Sequence, residues 1–189
     1  MKKKTRDTIR EKAAILFMEK GFYATSMREL ARDVGMEAPS LYNHIRSKED
    51  ILKEICFDYA HKYLEGIRQI RNKINSSKDQ LRAVIDMHMN IALNDPASIT
   101  VFNDEWRHLK PPAISDFRFM RKTYESQLRE ILKAGIQSGE FAHMDPDIAM
   151  YTLLSSIKWI HHRLPKKSAE RVYMKNTLER IILYGFIQN

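Results

Sequence analysis

The chain has 189 residues, 43% of them hydrophobic, enough for a sizeable core and too many for wholesale disorder. Six glycines and six prolines leave most of it free of breakers, which favours long helices over a turn-rich sheet fold. The formal net charge of +8 points to an anionic partner (nucleic acid, a membrane surface or a small anion), and the single Cys56 excludes an internal disulfide.

The basic start, Met1 to Arg6, leads into an amphipathic stretch rather than an apolar signal core. No apolar run is long enough for a membrane span, so a cytoplasmic protein with no membrane partner is expected. The first helix is expected over Thr5–Lys20, with Ile9, Ala13, Leu16 and Phe17 on one stripe and Gly21 as its stop. Ser26-Met-Arg-Glu29 is a capping box that opens a short helix with Met27, Leu30, Ala31 and Val34 on its apolar face. Gly35 stops it, and a third helix follows over Glu37–His44 with Pro39 in its first turn. Ser47-Lys-Glu-Asp50 opens a long helix to about Asn72. Further helices are expected at Asp79–Leu93, Asp95–Leu109, Pro112–Gln137, Pro146–Leu164 and Ser168–Ile187. Asp95-Pro96 and Asp145-Pro146 each place a capping acid before a first-turn proline. The expected fold is all-α, with about nine helices. No strand pattern and no repeat is evident.

Ser26–Ile45 is the most informative stretch. Two short amphipathic helices flank a tight turn at Gly35, and Leu30, Val34, Met36 and Leu41 would pack the pair on the first helix. That is the layout of a helix-turn-helix, whose second helix enters the major groove. A helical hairpin in an ordinary bundle has the same pattern. The second helix offers Glu37, Ala38, Ser40, Tyr42, Asn43 and His44, small or hydrogen-bonding groups suited to a groove. Lys48 opens the next helix, where an ammonium and backbone N–H groups can meet a phosphate. Lys2, Lys3, Lys4 and Arg6 form a basic arm.

The stretch from Gly21 through Gly35, followed by Pro-Ser-Leu-Tyr-Asn-His-Ile-Arg-Ser-Lys-Glu-Asp-Ile-Leu, resembles the DNA-binding domain of the tetracycline-repressor (TetR) family over about the first 55 residues. Leu41-Tyr42, His44 and Ser47-Lys48-Glu49 stand where that family has its signature. The resemblance implies a homodimeric repressor that binds a double-stranded DNA operator and is released by a small-molecule effector. It implies a helix-turn-helix domain over residues 1–50 and a ligand-binding and dimerisation domain over residues 51–189. Carried over by position, Ser26, Tyr42 and Lys48 correspond to phosphate contacts. Arg28, Ser40, Asn43 and His44 face the groove or its edge. Pro39 and Ile45 depart from the family pattern, and the backbone donor lost at Pro39 puts base preference in doubt.

Beyond Ile51 the chain is rich in Met and aromatic residues. Met87, Ile91, Phe102, Trp106, Phe117, Met120, Tyr124 and Trp159 are candidates for an adaptable apolar pocket, and each is equally at home in an ordinary core. Phe102–Leu109, Arg121–Glu125 and Ala134–Phe141 are similar to members of the same family that respond to acyl-coenzyme A thioesters. Arg107, Lys110, Arg118, Arg121 and Lys158 are the cations that such a ligand's phosphates would need. Leu153, Ile157 and Ile160, with Leu178, Ile181, Ile182 and Gly185, form two stripes that either pair across a two-fold axis or face inward in a monomer. His161 and His162 are adjacent and point apart, Cys56 has no evident base, and no phosphate-binding glycine loop is present. No catalytic set, metal site or cofactor is therefore expected. A helical ligand-binding or interaction module without specific DNA binding is the alternative to a regulator.

Overall fold

The computed structural model describes residues 2–162 and 167–186. Nine α-helices occur among them: α1 (Lys2–Lys20), α2 (Met27–Val34), α3 (Ala38–Tyr42), α4 (Lys48–Lys73), α5 (Ser77–Asn94), α6 (Pro96–Thr100), α7 (Ala113–Gln137), α8 (Pro146–Lys158) and α9 (Ser168–Phe186). The expected all-α fold is what is found, with most ends within a few residues of their sequence signals.

Those signals act through local hydrogen bonds. Ser26 Oγ accepts from the Glu29 N–H at 3.2 Å and caps α2. Gly35, at φ +74°, adopts the left-handed conformation that lets the Gly35 and Met36 N–H groups return to the Arg32 and Ala31 carbonyls. Asp95 caps α6 by accepting from Ser98, and Asp145 caps α8 by accepting from Asp147 and Ile148.

One expected helix is broken. The stretch read as a single helix over Asp95–Leu109 is the short α6, then a π-helical segment Val101–Glu105, then a 3-10 turn Trp106–His108. Apolar spacing does not separate these geometries, because side chains three, four or five apart can all be brought to one side. Such irregular stretches concentrate at functional sites. Trp159 likewise falls just past α8, in a 3-10 turn over Trp159–His162. Residues 163–164 and Ile187, expected at helix ends, lie outside the described residues.

Packing divides the chain into two units, residues 1–60 with 95–118, and residues 61–94 with 119–189. In the first unit α1 packs on α2 and α6, and α2 on α3. Ile9, Phe17, Leu30, Leu41, Ile51, Leu52, Ile55 and Phe117 are fully buried there. Arg6 pairs with Glu54 and Arg10 with Asp58, joining α1 to α4. In the second unit α5 packs against α8, α9 and the turn over Trp159–His162. Its core includes Ile67, Leu81, Val84, Ile85, Met89, Leu128, Leu132 and Phe141.

The α8 and α9 stripes are split between the chain's own core and its surface. Leu153, Ile157, Ile160, Leu178 and Ile182 are buried within the chain itself. Ile181 and Gly185 of those same stripes are exposed, as are Ile148 and Tyr151 on α8 and Tyr173 and Tyr184 on α9. Periodicity identifies a buried face but not what buries it.

Close packing makes one substitution sharply testable. A Cβ at Gly135 on α7 would collide with the Phe141 ring, which is 1% exposed, and the Phe141 N–H is tied to the Gly135 carbonyl at 2.9 Å. Gly135→Ala is expected to destabilise the chain by about 1–3 kcal/mol, because an aromatic ring in a packed core has no room to swing aside. Chemical denaturation of the pair of proteins measures it. An unchanged midpoint would mean that the ring is not held there.

Candidate nucleic-acid interface

The α2–turn–α3 pair presents a continuous polar face. Ser26, Arg28, Ser40, Tyr42 and Asn43 are exposed, and His44 is half-buried at the end of α3, its N–H donating to the Leu41 carbonyl at 3.0 Å. Leu41 and Ile45, wholly buried, fix the orientation of this face by anchoring α3 from beneath. Pro39 is accommodated in the first turn of α3, and its cap residue Glu37 makes no side-chain capping bond. Beside this face lies an open cleft of about 410 Å³, lined by Tyr23, Ser26, Tyr42, Arg46, Ser47 and Lys48 among others. Hydroxyls and cations in that arrangement suit a phosphate oxygen. The side chains of Lys2, Lys3 and Lys4 lie outside the described residues, and Arg6 of the expected basic arm is engaged by Glu54.

Lys48 sits differently from a free phosphate ligand. Its ammonium donates to the carbonyls of Phe22 at 2.8 Å, Thr25 at 3.0 Å and Tyr23 at 3.2 Å, and lies 4.6 Å from the centre of the Phe22 ring. The loop between α1 and α2 is thereby folded around one cation. Thr25 ties the same loop to α1 through the carbonyls of Gly21 and Leu16. Because Ser26 follows directly and caps α2, Lys48 holds the loop from which α2 starts.

The irregular segment after α6 grips this loop from the other side. The Glu105 carboxylate accepts the Phe22 N–H at 3.2 Å and lies 3.2 Å from His108 Nε2. The His108 ring stacks on Phe22 with centroids 5.6 Å apart and meets Tyr23 edge-on at 4.4 Å. Lys110, two residues on, pairs with Glu49 in the first turn of α4 at 3.1 Å. Glu105 and His108 were not among the sequence candidates for this face. Their partners lie more than eighty residues away, and nothing local marks them.

The candidate pocket residues divide between the two units. In the first, Phe117 is the centre of an aromatic group, 5.5 Å from Phe102, 5.7 Å from Trp106 and 6.3 Å from Phe57, with Tyr59 6.3 Å from Phe102. The Arg107 and Arg118 guanidiniums lie 5.2 and 5.8 Å from the Trp106 ring centre. Lys110 is occupied by Glu49, and Arg121 lies 3.9 Å from Glu125 on its own helix. In the second unit Met87 and Ile91 on α5 and Met120 on α7 are half-buried, with Met87 backing onto Gly66 of α4. Tyr124 is buried and hydrogen-bonded to His88 at 2.5 Å, and the Tyr63 ring lies 4.5 Å from His88. Burial pushes the Tyr124 and Tyr63 hydroxyls well above the usual tyrosine range and pulls the His88 imidazole down to about 3. Trp159, by contrast, is 39% exposed at the end of α8, and Lys158 is exposed beside it.

Burial also pushes the Cys56 thiol up to about 12, far from a reactive thiolate. No group of three or more His, Cys, Asp or Glu among the described residues could hold a metal ion, and no described helix is long and apolar enough to cross a membrane.

Residues 9–55 match the family of bacterial regulatory proteins named for tetR, and residues 75–162 match the tetracyclin repressor-like C-terminal domain. The chain is 27% identical over 190 residues to the HTH-type transcriptional repressor KstR2 of Mycolicibacterium smegmatis, covering 97% of this chain and 91% of that protein. Its fold superposes on the ketosteroid transcriptional regulator KstR2 of Mycobacterium tuberculosis with a TM-score of 0.88 at 23% identity, over 97% and 95% of the two chains. It also superposes on AibR, solved in complex with isovaleryl coenzyme A and operator DNA, with a TM-score of 0.81 at 22% identity, over 94% and 97% of the chains. A helix-turn-helix held by a lysine-centred loop, on a chain matched at both its N- and C-terminal parts, makes this protein a member of the tetR family of DNA-binding transcriptional regulators.

Proposed function

We propose that the chain is a homodimeric, effector-responsive repressor, which binds a palindromic operator and leaves it when a small apolar or acyl-coenzyme A ligand is bound. One observation carries the reading. The segment Val101–His108 has Phe102 and Trp106 in the aromatic group and Glu105 and His108 on the loop that Lys48 organises. A ligand that displaces the aromatic side moves the side that holds the reading head. Release from DNA requires a ligand to favour one of two arrangements of this segment, and a π-helical stretch has a more regular alternative close at hand.

Residues 1–50 act as the DNA-binding part and residues 51–189 as the sensing and dimerising part. Ser26 and Tyr42 meet phosphates, while Arg28, Ser40, Asn43 and His44 address the groove or its edge. The candidates to receive the ligand are Phe102, Trp106 and Phe117 in the first unit, and Met87, Ile91, Met120, Tyr124 and Trp159 in the second. Arg107 and Arg118, flanking Trp106, suit the phosphates of a coenzyme A head group. The repressor and coenzyme A named for the similar proteins support this choice. A second copy covers the exposed apolar faces of α8 and α9, which a soluble monomer would leave wet. The protein works in the cytoplasm, where operator and acyl-coenzyme A are both present.

Footprinting on the DNA flanking its own gene, with and without isovaleryl or longer-chain acyl-coenzyme A, tests the reading. Protection of a two-fold symmetric site, lost on adding the thioester but not free coenzyme A, is the expected result. Ser40→Ala and Asn43→Ala should change which base pairs are preferred, by about 1–3 kcal/mol at the affected position. No protected site would refute operator binding. Protection indifferent to every thioester would refute the effector class.

A further inference from the structure

The cleft beside Tyr42 needs a cation free to meet the DNA backbone, and Lys48 is not that cation. An ammonium has three N–H donors. Three loop carbonyls, at 2.8, 3.0 and 3.2 Å, take all of them, and the Phe22 ring covers the charge from another side. Turning Lys48 towards a phosphate would leave these carbonyls unpaired and loosen the loop that leads into the Ser26 cap.

The other basic side chains of residues 20–50 are Lys20, Arg28, Arg32 and Arg46. Lys20 pairs with Glu29, and Arg32 lies near Glu29 and Asp33. Arg28 and Arg46 alone among these five make no hydrogen bond or ion pair with described residues, and both are exposed. Only Arg46 also lines the cleft, together with the hydroxyl-bearing Tyr23, Ser26, Tyr42 and Ser47. The acid in the lining, Glu49, has its charge engaged by Lys110 at 3.1 Å. A guanidinium with five uncommitted donors in a fork is matched to two oxygens of one phosphate.

We propose that Arg46 supplies the backbone-phosphate contact at this cleft and that Lys48 is a positioning residue, whose ammonium shapes the loop in front of the reading helices. The inference rests on the DNA-binding reading of the chain. It separates two roles that a lysine at the start of α4 would otherwise combine.

The experiment measures affinity for double-stranded DNA of arbitrary sequence against salt concentration, for the full chain and for Arg46→Ala, Arg46→Lys and Lys48→Met, with melting temperature recorded for each. Arg46→Ala should lose about tenfold in affinity per head and flatten the log–log salt slope by about 1 per head, about 2 for a dimer, at an unchanged melting temperature. Arg46→Lys should restore most of the slope. Lys48→Met, which keeps the stem and removes the donors, should lower the melting temperature and weaken binding while keeping the wild-type slope. A slope that flattens in Lys48→Met and not in Arg46→Ala overturns the assignment, as does a slope unchanged in both. A wild-type chain that binds no DNA would instead strike the DNA-binding reading on which the assignment rests.

Discussion

Lowering the pH from 7 to 5 is expected to remove about 2 kcal/mol of folding stability through His88 alone. His88 lies on α5 against Tyr124 and Tyr63, with one short hydrogen bond to Tyr124 and no ion pair to an acid among the described residues to stabilise an imidazolium. It keeps some accessible surface, but the depth of protein around its ring governs charging and holds it neutral down to about pH 3. In the unfolded chain an imidazole titrates near 6.5. The folded value therefore lies below the unfolded one, and the unfolded chain takes up the proton first. Stability is complete above about pH 6.5 and falls by about 1.4 kcal/mol per unit as pH drops towards 3. Against a typical total of about 5–15 kcal/mol, that is a large fraction. Denaturation midpoints across pH 7 to 4 check it, with His88→Gln as the partner measurement. Gln keeps a polar group for Tyr124 and cannot take the proton. The difference between the two proteins should shrink steadily as pH falls, whatever the carboxylates and the other histidines contribute to both. A constant difference would mean that His88 takes up its proton as readily in the folded chain as in the unfolded one.

His88 illustrates where the sequence stops being informative. Nothing near it in the sequence marks its surroundings, because Tyr63 and Tyr124 reach it from α4 and α7. Features encoded within a few residues were legible: the Ser26 cap, the Gly35 stop, and the Asp-Pro starts of α6 and α8 all form bonds to their near neighbours. The stripe through Leu153 and Ile157 was legible as buried, but not as buried within its own chain. Lys48 was legible as a cation opening a helix. That three carbonyls from residues 22–25 converge on it depends on how α1 and α4 pack. The π-helical turn left no pattern at all, and it carries the residue on which the proposed coupling rests.

That residue is Glu105, and Glu105→Ala is expected to uncouple the reading head from the aromatic group. Its carboxylate is the acceptor for the Phe22 N–H and the anionic neighbour of His108, which packs on Phe22 and Tyr23. Removing it leaves a part-buried N–H without that acceptor and frees the His108 ring from its tether, a cost of about 1–3 kcal/mol. Most of that cost falls on the loop over residues 21–25, so amide exchange there should quicken by about tenfold or more while the α5 core is unaffected. DNA binding should weaken, since the Ser26 cap is no longer held in register. Where an acyl-coenzyme A weakens operator binding by the wild type, the same ligand should act far less on the variant, because linkage needs an element that both sites bias. Glu105→Gln keeps a carbonyl oxygen for Phe22 and should retain most of both properties. Exchange at Phe22 and Tyr23 unchanged in Glu105→Ala would show that the loop stands on Lys48 alone. A ligand response preserved in that variant would route the signal through some other contact than the Val101–His108 segment.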